Sequence, residues 1–333
     1  MTKLADIAAA MVTPGKGILA ADESTASIQK RFESIKTDCT ADSRRDYREM
    51  FFSAKDTMQS YVSGVILFDE TLRQSSRGGT PLAEMISATG AVPGIKLDTG
   101  AKPLALQSGE TVTEGLDGLA GRVAEYVKLG AKFAKWRAVI DPTGKNPSHN
   151  AIHANVHALA RYAAICQAGG LVPMVEPEVL MDGDHDIETC YEVTEVTLRS
   201  LFDALYQFNV DLQGTILKAS MVISGKGCDE QASVDEVADY TLMCLKTNVP
   251  AILPGIVFLS GGQSDEDATA HLNAMNEIGE NPWPLSFSYG RAMQSAALKI
   301  WSQDLVGNVG KAQETVFARA RDNGLAALGQ LND

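Results

Sequence analysis

The residues best suited to chemistry in this chain stand at the ends of short apolar runs. Lys218 closes the run Gly214-Thr-Ile-Leu-Lys218, where a charged amine is costly to bury, so its pKa is expected to fall. Lys135 and Arg137 close another run and would push it further down by like-charge repulsion. A neutral amine in that setting attacks carbonyl carbon and forms a Schiff base. Dehydrating the carbinolamine needs an acid/base, and Glu176 and Glu178 supply carboxylates two residues apart, on one face of a strand. Asp22 ends a further run and could take a hydroxyl proton from the substrate. The glycine-rich ends Ser260-Gly261-Gly262 and Tyr289-Gly290-Arg291 offer backbone N–H groups and an arginine, the usual makings of a phosphate site. Glu70, Lys96 with Asp98, Ser220 and Ser288 end their runs in the same way.

These groups can act together only if the elements that carry them bring their ends to one place. The runs are 17–22 (GILAAD), 64–70 (GVILFDE), 94–99 (GIKLDT), 131–137 (AKFAKWR), 172–178 (VPMVEPE), 212–220 (LQGTILKAS), 254–262 (PGIVFLSGG) and 284–290 (PLSFSYG). Most are β-branched or aromatic and entered through Gly or Pro, as buried parallel strands are. Between them apolar residues recur at helical steps: Leu116, Leu119, Val123 and Val127; Ile152, Val156, Leu159 and Ala163; Ala268, Leu272, Met275 and Ile278. Ser233 with Glu236 makes a capping-box pattern, and Ser264 with Asp267 a weaker variant. No linker, repeat or low-complexity tract breaks the series, so residues 1–333 read as a single domain. Eight βα units predict an α/β fold of the closed TIM (β/α)8 kind with additional helices, rather than an open doubly wound sheet. The strand ends of such a barrel converge on one rim, where barrel active sites lie, with phosphate commonly held after the seventh and eighth strands.

Lys+Arg 29 against Asp+Glu 42 gives a net charge of −13, which argues against nucleic acid or an anionic membrane as partner. If the ligand is anionic, the few cations must be concentrated at one site. No run approaches the ~20 apolar residues of a membrane span. The N-terminal MTKLADIAAAMVTPGKG carries Asp6 where a signal-peptide core would be, and it reads as a brief amphipathic helix ended by Pro14 and Gly15. Cys39, Cys166, Cys190, Cys228 and Cys244 are widely spaced and form no CxxC, the usage of free thiols in a reducing cytoplasm. His149, His153 and His157 share a helix face at a spacing that can bind zinc, but no other element offers a matching ligand; they read as a surface or packed face, and His185 as part of a polar loop. Neither GxGxxG nor GxxxxGK[ST] follows a strand, so a nucleotide cofactor has no support.

The blocks GILAADEST (17–25), GVILFDETL (64–72), GIKLDTG (94–100), FAKWR (133–137), VPMVEPEVL (172–180), GTILKASMV (214–222), FLSGGQS (258–264) and SFSYGRA (286–292) resemble, in family order, those of class I fructose-bisphosphate aldolase. The likeness spans about residues 4–320. It implies a cytoplasmic, metal-free and cofactor-free (β/α)8 barrel, normally a homotetramer. The reaction implied is reversible cleavage of fructose 1,6-bisphosphate, a sugar phosphate, to dihydroxyacetone phosphate and glyceraldehyde 3-phosphate in glycolysis and gluconeogenesis. By resemblance Lys218 is the Schiff-base lysine and Glu176 the acid/base of iminium formation. Asp22 takes the C4 hydroxyl proton, and Lys135 assists with charge and protons. Ser260, Gly261, Gly290 and Arg291 resemble the C1-phosphate site, with Ser288 beside it and Gly262 in the same loop. Ser24, Ser27, Arg31, Lys96 and Arg137 resemble the groups along the rest of the substrate and its C6 phosphate. Animal members end in a tail whose tyrosine helps protonate the enamine; here the sequence ends GLAALGQLND and its last tyrosine is Tyr289, so another group or water is expected to do that step. A transaldolase-like transferase, a metal-dependent aldolase and a catalytically silent barrel are the alternatives.

Overall fold

All eight apolar runs become parallel strands that close on themselves. The computed structural model describes residues 3–145 and 147–331, so the limits of the expected 1–333 domain lie outside the described residues. In chain order the strands are β1 (Gly17–Ala21), β2 (Val62–Leu67), β3 (Val92–Lys96), β4 (Ala101–Pro103), β5 (Thr111–Thr113), β6 (Phe133–Ile140), β7 (Val172–Val179), β8 (Ile216–Ala219), β9 (Ile256–Phe258) and β10 (Leu285–Tyr289). The barrel runs β1-β2-β3-β6-β7-β8-β9-β10 and back to β1, a TIM barrel with helices around it. β4 and β5 form a small antiparallel hairpin outside it, which the sequence did not announce because its strands are only three residues long.

Side chains alternate along each strand, and the two sets separate into two layers. Ile18, Ala20, Ile66, Phe133, Val172, Met174, Ile216 and Val257 pack inside the barrel. Leu19, Ala21, Val65, Leu67, Ala134, Val175 and Leu217 pack with the surrounding helices. The N-terminal helix Leu4–Met11 closes the foot of the barrel, with Ala8, Met11 and Val12 joining the inner layer. Gly94 is required here: a Cβ on it would fall 2.3 Å from the Phe133 ring, which fills the barrel interior. Followed from foot to rim, several inward sets turn from apolar to charged. Ile18 and Ala20 lead to Asp22, Phe133 to Lys135 and Arg137, Val172 and Met174 to Glu176 and Glu178, and Ile216 to Lys218. Register aligns them further, since Lys96 lies opposite Lys135 and Arg137 opposite Glu176.

The helical faces follow the sequence pattern with two exceptions. Leu116 precedes the helix Leu119–Lys128, and Ile278, last of its set, is half exposed at the end of Asp265–Ile278. Ser233 and Glu236 make the expected capping box, and Ser264 accepts from the Asp267 N–H. The run ending in Glu70 is shorter than expected. β2 stops at Leu67 and Asp69–Arg73 forms a helix with two acids in its first turn, where the helix dipole favours them. Among the described residues no helix is long and apolar enough to cross a membrane.

Candidate active site

A cavity of about 370 Å3 opens at the C-terminal mouth of the barrel. Asp22, Ser24, Ser27, Arg31, Lys96, Lys135, Arg137, Glu176, Glu178, Lys218, Ser260, Gly261, Ser288, Gly290 and Arg291 all line it, so the rim gathers every candidate but Gly262. Gly262 lies behind the cavity wall. Its φ of +83° makes the turn, and a Cβ on it would strike Met181 at 2.6 Å, so its part is to shape the loop that carries Gly261. Glu70 and Ser220 also turn elsewhere. Glu70 takes two hydrogen bonds from Arg44, at 2.8 and 2.5 Å, and the Ser220 hydroxyl donates to the Val179 carbonyl.

At the floor four charged groups alternate in sign. The Lys135 ammonium lies 2.7 Å from Asp22 and 3.1 Å from Glu176, whose other oxygen is 3.0 Å from Lys218 Nζ. Lys135, Glu176 and Lys218 are each 5% exposed or less. Burial alone would neutralise Asp22, Glu176 and Lys135, but each has an opposite charge in contact. For Asp22, burial raises the pKa, yet Lys135 and then Lys218 outweigh it and bring the carboxyl down to about 2. Glu176 is lowered from its ordinary value for the same reason, by Lys135, Lys218 and Arg137 against burial. Burial lowers Lys135, but Asp22 and Glu176 on either side raise it above its ordinary value, so it stays an ammonium. The expectation that Lys135 faces Lys218 by direct repulsion therefore needs correcting: the Glu176 carboxylate stands between them.

Glu178 belongs to a different pair. It accepts a short hydrogen bond from Arg137 Nε, which raises the guanidinium pKa against the effect of burial. Lys96 pairs with Asp98 at 2.9 Å, and Asp98 also accepts from the Gly100 and Arg137 N–H groups, fixing that side of the rim. Ser24 caps the helix Thr25–Ser34, and its hydroxyl lies 3.1 Å from that of Ser27. Opposite, Ser260 and Gly261 follow β9, and Gly290 caps the helix Arg291–Trp301, whose N-terminus favours an anion. Ser288 Oγ, buried in the cavity wall, has no hydrogen-bond partner among the described residues. Arg31 stands on this side too, since a Cβ on Gly290 would lie 4.0 Å from its Nη2.

Sequence reasoning missed Glu23, which lines the cavity and binds Arg31 at 2.5 Å. Its signal was slight, one more acid after Asp22 with no periodic mark. The histidines stay apart from the site. His149, His153 and His157 lie exposed on the helix His149–Gly169, with His157 packed edge-on against Phe208, while His185 is buried in its loop.

This arrangement gives one end of the cavity a nucleophilic amine with a carboxylate in contact and two walls suited to phosphates. The profile of class-I fructose-bisphosphate aldolases matches residues 3–333. A protein of Xanthomonas campestris pv. campestris named probable fructose-bisphosphate aldolase class 1 is 65% identical over 328 residues, 98% of each chain. Fructose-bisphosphate aldolase 1 of Toxoplasma gondii is 52% identical, covering 98% of this chain and 90% of its own. A solved structure of the Plasmodium falciparum aldolase superposes with a TM-score of 0.97 at 45% identity, over 99% of this chain and 95% of that one. With family, relatives and fold in agreement along nearly its full length, the chain belongs to the class I fructose-bisphosphate aldolases, lyases that reversibly cleave fructose 1,6-bisphosphate in glycolysis.

Proposed function

We propose that Lys218 supplies the Schiff-base amine and that Glu176, Lys135 and Asp22 form the proton path beside it. The observation that carries this reading is the unbroken contact chain Lys218–Glu176–Lys135–Asp22 on the barrel floor. Lys218 Nζ adds to the C2 carbonyl carbon of the ketose. Glu176, 3.0 Å away, takes a proton from the Lys218 nitrogen to free its lone pair. After addition a second nitrogen proton passes to the C2 oxygen, and Glu176 returns the first to the carbinolamine hydroxyl, which leaves as water. The resulting iminium is an electron sink. Asp22, held ionised, accepts the C4 hydroxyl proton, and the C3–C4 bonding electrons pass into the enamine as glyceraldehyde 3-phosphate departs. A proton then adds at C3, and water hydrolyses the iminium to release dihydroxyacetone phosphate. Lys135, an ammonium between the two carboxylates, holds both ionised and in place until each takes its proton.

In this reading Glu178 holds Arg137 in the wall rather than carrying protons. Ser260, Gly261, Ser288, Gly290, Arg291 and Arg31 receive the C1 phosphate, with Gly262 supporting the loop. Ser24, Ser27, Lys96 and Arg137 receive the remainder of the sugar and its second phosphate. Residues 1–333 acting as one domain, in a cytoplasmic homotetramer, complete the proposal on the strength of the family.

Asp22→Asn separates the steps. Turnover of fructose 1,6-bisphosphate should fall by ~10²- to 10³-fold, because the acceptor for the C4 proton is gone. Borohydride should still trap dihydroxyacetone phosphate on the protein, because iminium formation does not use Asp22. A variant that neither turns over nor traps would place Asp22 before carbon–carbon cleavage and refute its assigned role.

A further inference from the structure

Behind Arg31 lies a set of charges left in an unfinished arrangement. Glu23, 9% exposed, accepts from Arg31 Nη1 through Oε1 at 2.5 Å. Its other oxygen, Oε2, is buried and has no hydrogen-bond partner among the described residues. Arg48 is 1% exposed; its Nη2 donates to the Glu23 backbone carbonyl at 2.9 Å, while Nε and Nη1 have no hydrogen-bond partner among the described residues. Glu23 Oε2 lies 3.6 Å from Arg48 Nη2, and Glu70 Oε2 lies 3.8 Å from Arg48 Nη1, both beyond hydrogen-bond distance. A buried guanidinium with unfilled donors is costly, and so is a buried carboxylate oxygen with no donor. Movement of the Glu23 side chain toward Arg48, whose Nη2 is 3.6 Å from Oε2, would bring the carboxylate onto that guanidinium. Arg31 prevents it by holding Oε1.

Arg31 is fixed from one side only. Its Nη1 is shared between Glu23 and Gln294 Oε1 at 3.2 Å, and its Nη2 faces Gly290 in the wall of the cavity. Gln294 is itself rigid, donating to the Ala20 carbonyl at 2.6 Å and accepting from the Tyr47 hydroxyl at 3.0 Å. We propose that Glu23 is a resident counter-ion of Arg31 that the substrate's phosphate displaces, the carboxylate then moving onto the unfilled donors of Arg48. The proposal rests on Arg31 being a phosphate ligand. An incoming dianion supplies Arg31 with stronger charge-assisted hydrogen bonds and repels the like-charged carboxylate, and Arg48 offers it the nearest unsatisfied donors. Glu23 is thus a specificity-determining residue: a ligand without a phosphate at this end leaves it on Arg31.

The test is calorimetric binding of inorganic phosphate to the full chain, which needs no turnover. Glu23→Gln keeps the shape but removes the competing charge, so phosphate should bind about 5- to 10-fold tighter than to the unaltered protein. Arg31→Met should weaken phosphate binding, and the double variant should lose the gain. Equal or weaker binding by Glu23→Gln would overturn the exchange while leaving Arg31 a phosphate ligand. Unchanged binding by Arg31→Met would instead overturn the reading on which the exchange rests. A crystal structure of the unaltered protein soaked in phosphate gives an answer independent of any variant's folding. Glu23 Oε2 within hydrogen-bond distance of Arg48 supports the exchange, and Glu23 still on Arg31 beside a bound phosphate overturns it.

Discussion

Lys218→Met is expected to lower turnover of fructose 1,6-bisphosphate by at least ~10³-fold, because the covalent route and its lower barrier disappear with the amine. The fold should survive. Lys218 sits in β8 between Leu217 and Ala219, and the methionine side chain replaces the lysine stem with nearly the same length and no charge. What changes is the charge on the floor, where Glu176 keeps Lys135 as its remaining contact in the set. The measurement is steady-state turnover alongside a thermal melt. Residual activity within tenfold of the unaltered protein, with the melt unchanged, would show that catalysis does not pass through this amine.

Glu176→Gln is expected to lower turnover by ~10²-fold or more and to change which step limits the reaction. Glutamine fills the same space and still reaches Lys218 and Lys135, but it neither accepts a proton from the amine nor gives one to the carbinolamine hydroxyl. The carbinolamine should therefore form and dehydrate slowly. Rapid-quench experiments check this: borohydride reduces the iminium and not the carbinolamine, so the trapped fraction should rise slowly with incubation time. Trapping as fast as in the unaltered protein would move the acid/base role to another group.

Much of this was legible because the chemistry is written in strand parity. Ile18, Ala20 and Asp22, or Ile216 and Lys218, keep one face of a strand from foot to rim, and the apolar entry of each run marks the buried part. Eight such runs force the ends together, which is why the sequence pointed to Lys218, Glu176, Lys135 and Asp22 as one set. The hairpin β4–β5 was not legible, since strands of three residues, Ala-Lys-Pro and Thr-Val-Thr, are too short for alternation to show. Nor was the partner of each charge. Glu176 and Glu178 are equivalent by spacing, yet one meets Lys135 and Lys218 and the other meets Arg137, contacts that come from neighbouring strands and leave no mark on this run. Glu70 failed for a different reason. It looked like another strand end, but the chain had already left the sheet at Leu67 and turned into a helix. Glu23 was overlooked because its importance comes from Arg31 and Arg48, both distant in sequence and on helices whose direction no local pattern specifies.

Lys135 and Lys218 are almost equally buried, so burial cannot choose between them as nucleophile. The choice rests on contacts: Lys135 is held as an ammonium by two carboxylates, whereas Lys218 meets one, Glu176, among the described residues. The most direct test is to incubate the unaltered protein with dihydroxyacetone phosphate, reduce with borohydride and locate the adduct by peptide mass spectrometry. The account predicts a single modified residue, Lys218; a modification at Lys135, or none at any lysine, would contradict it.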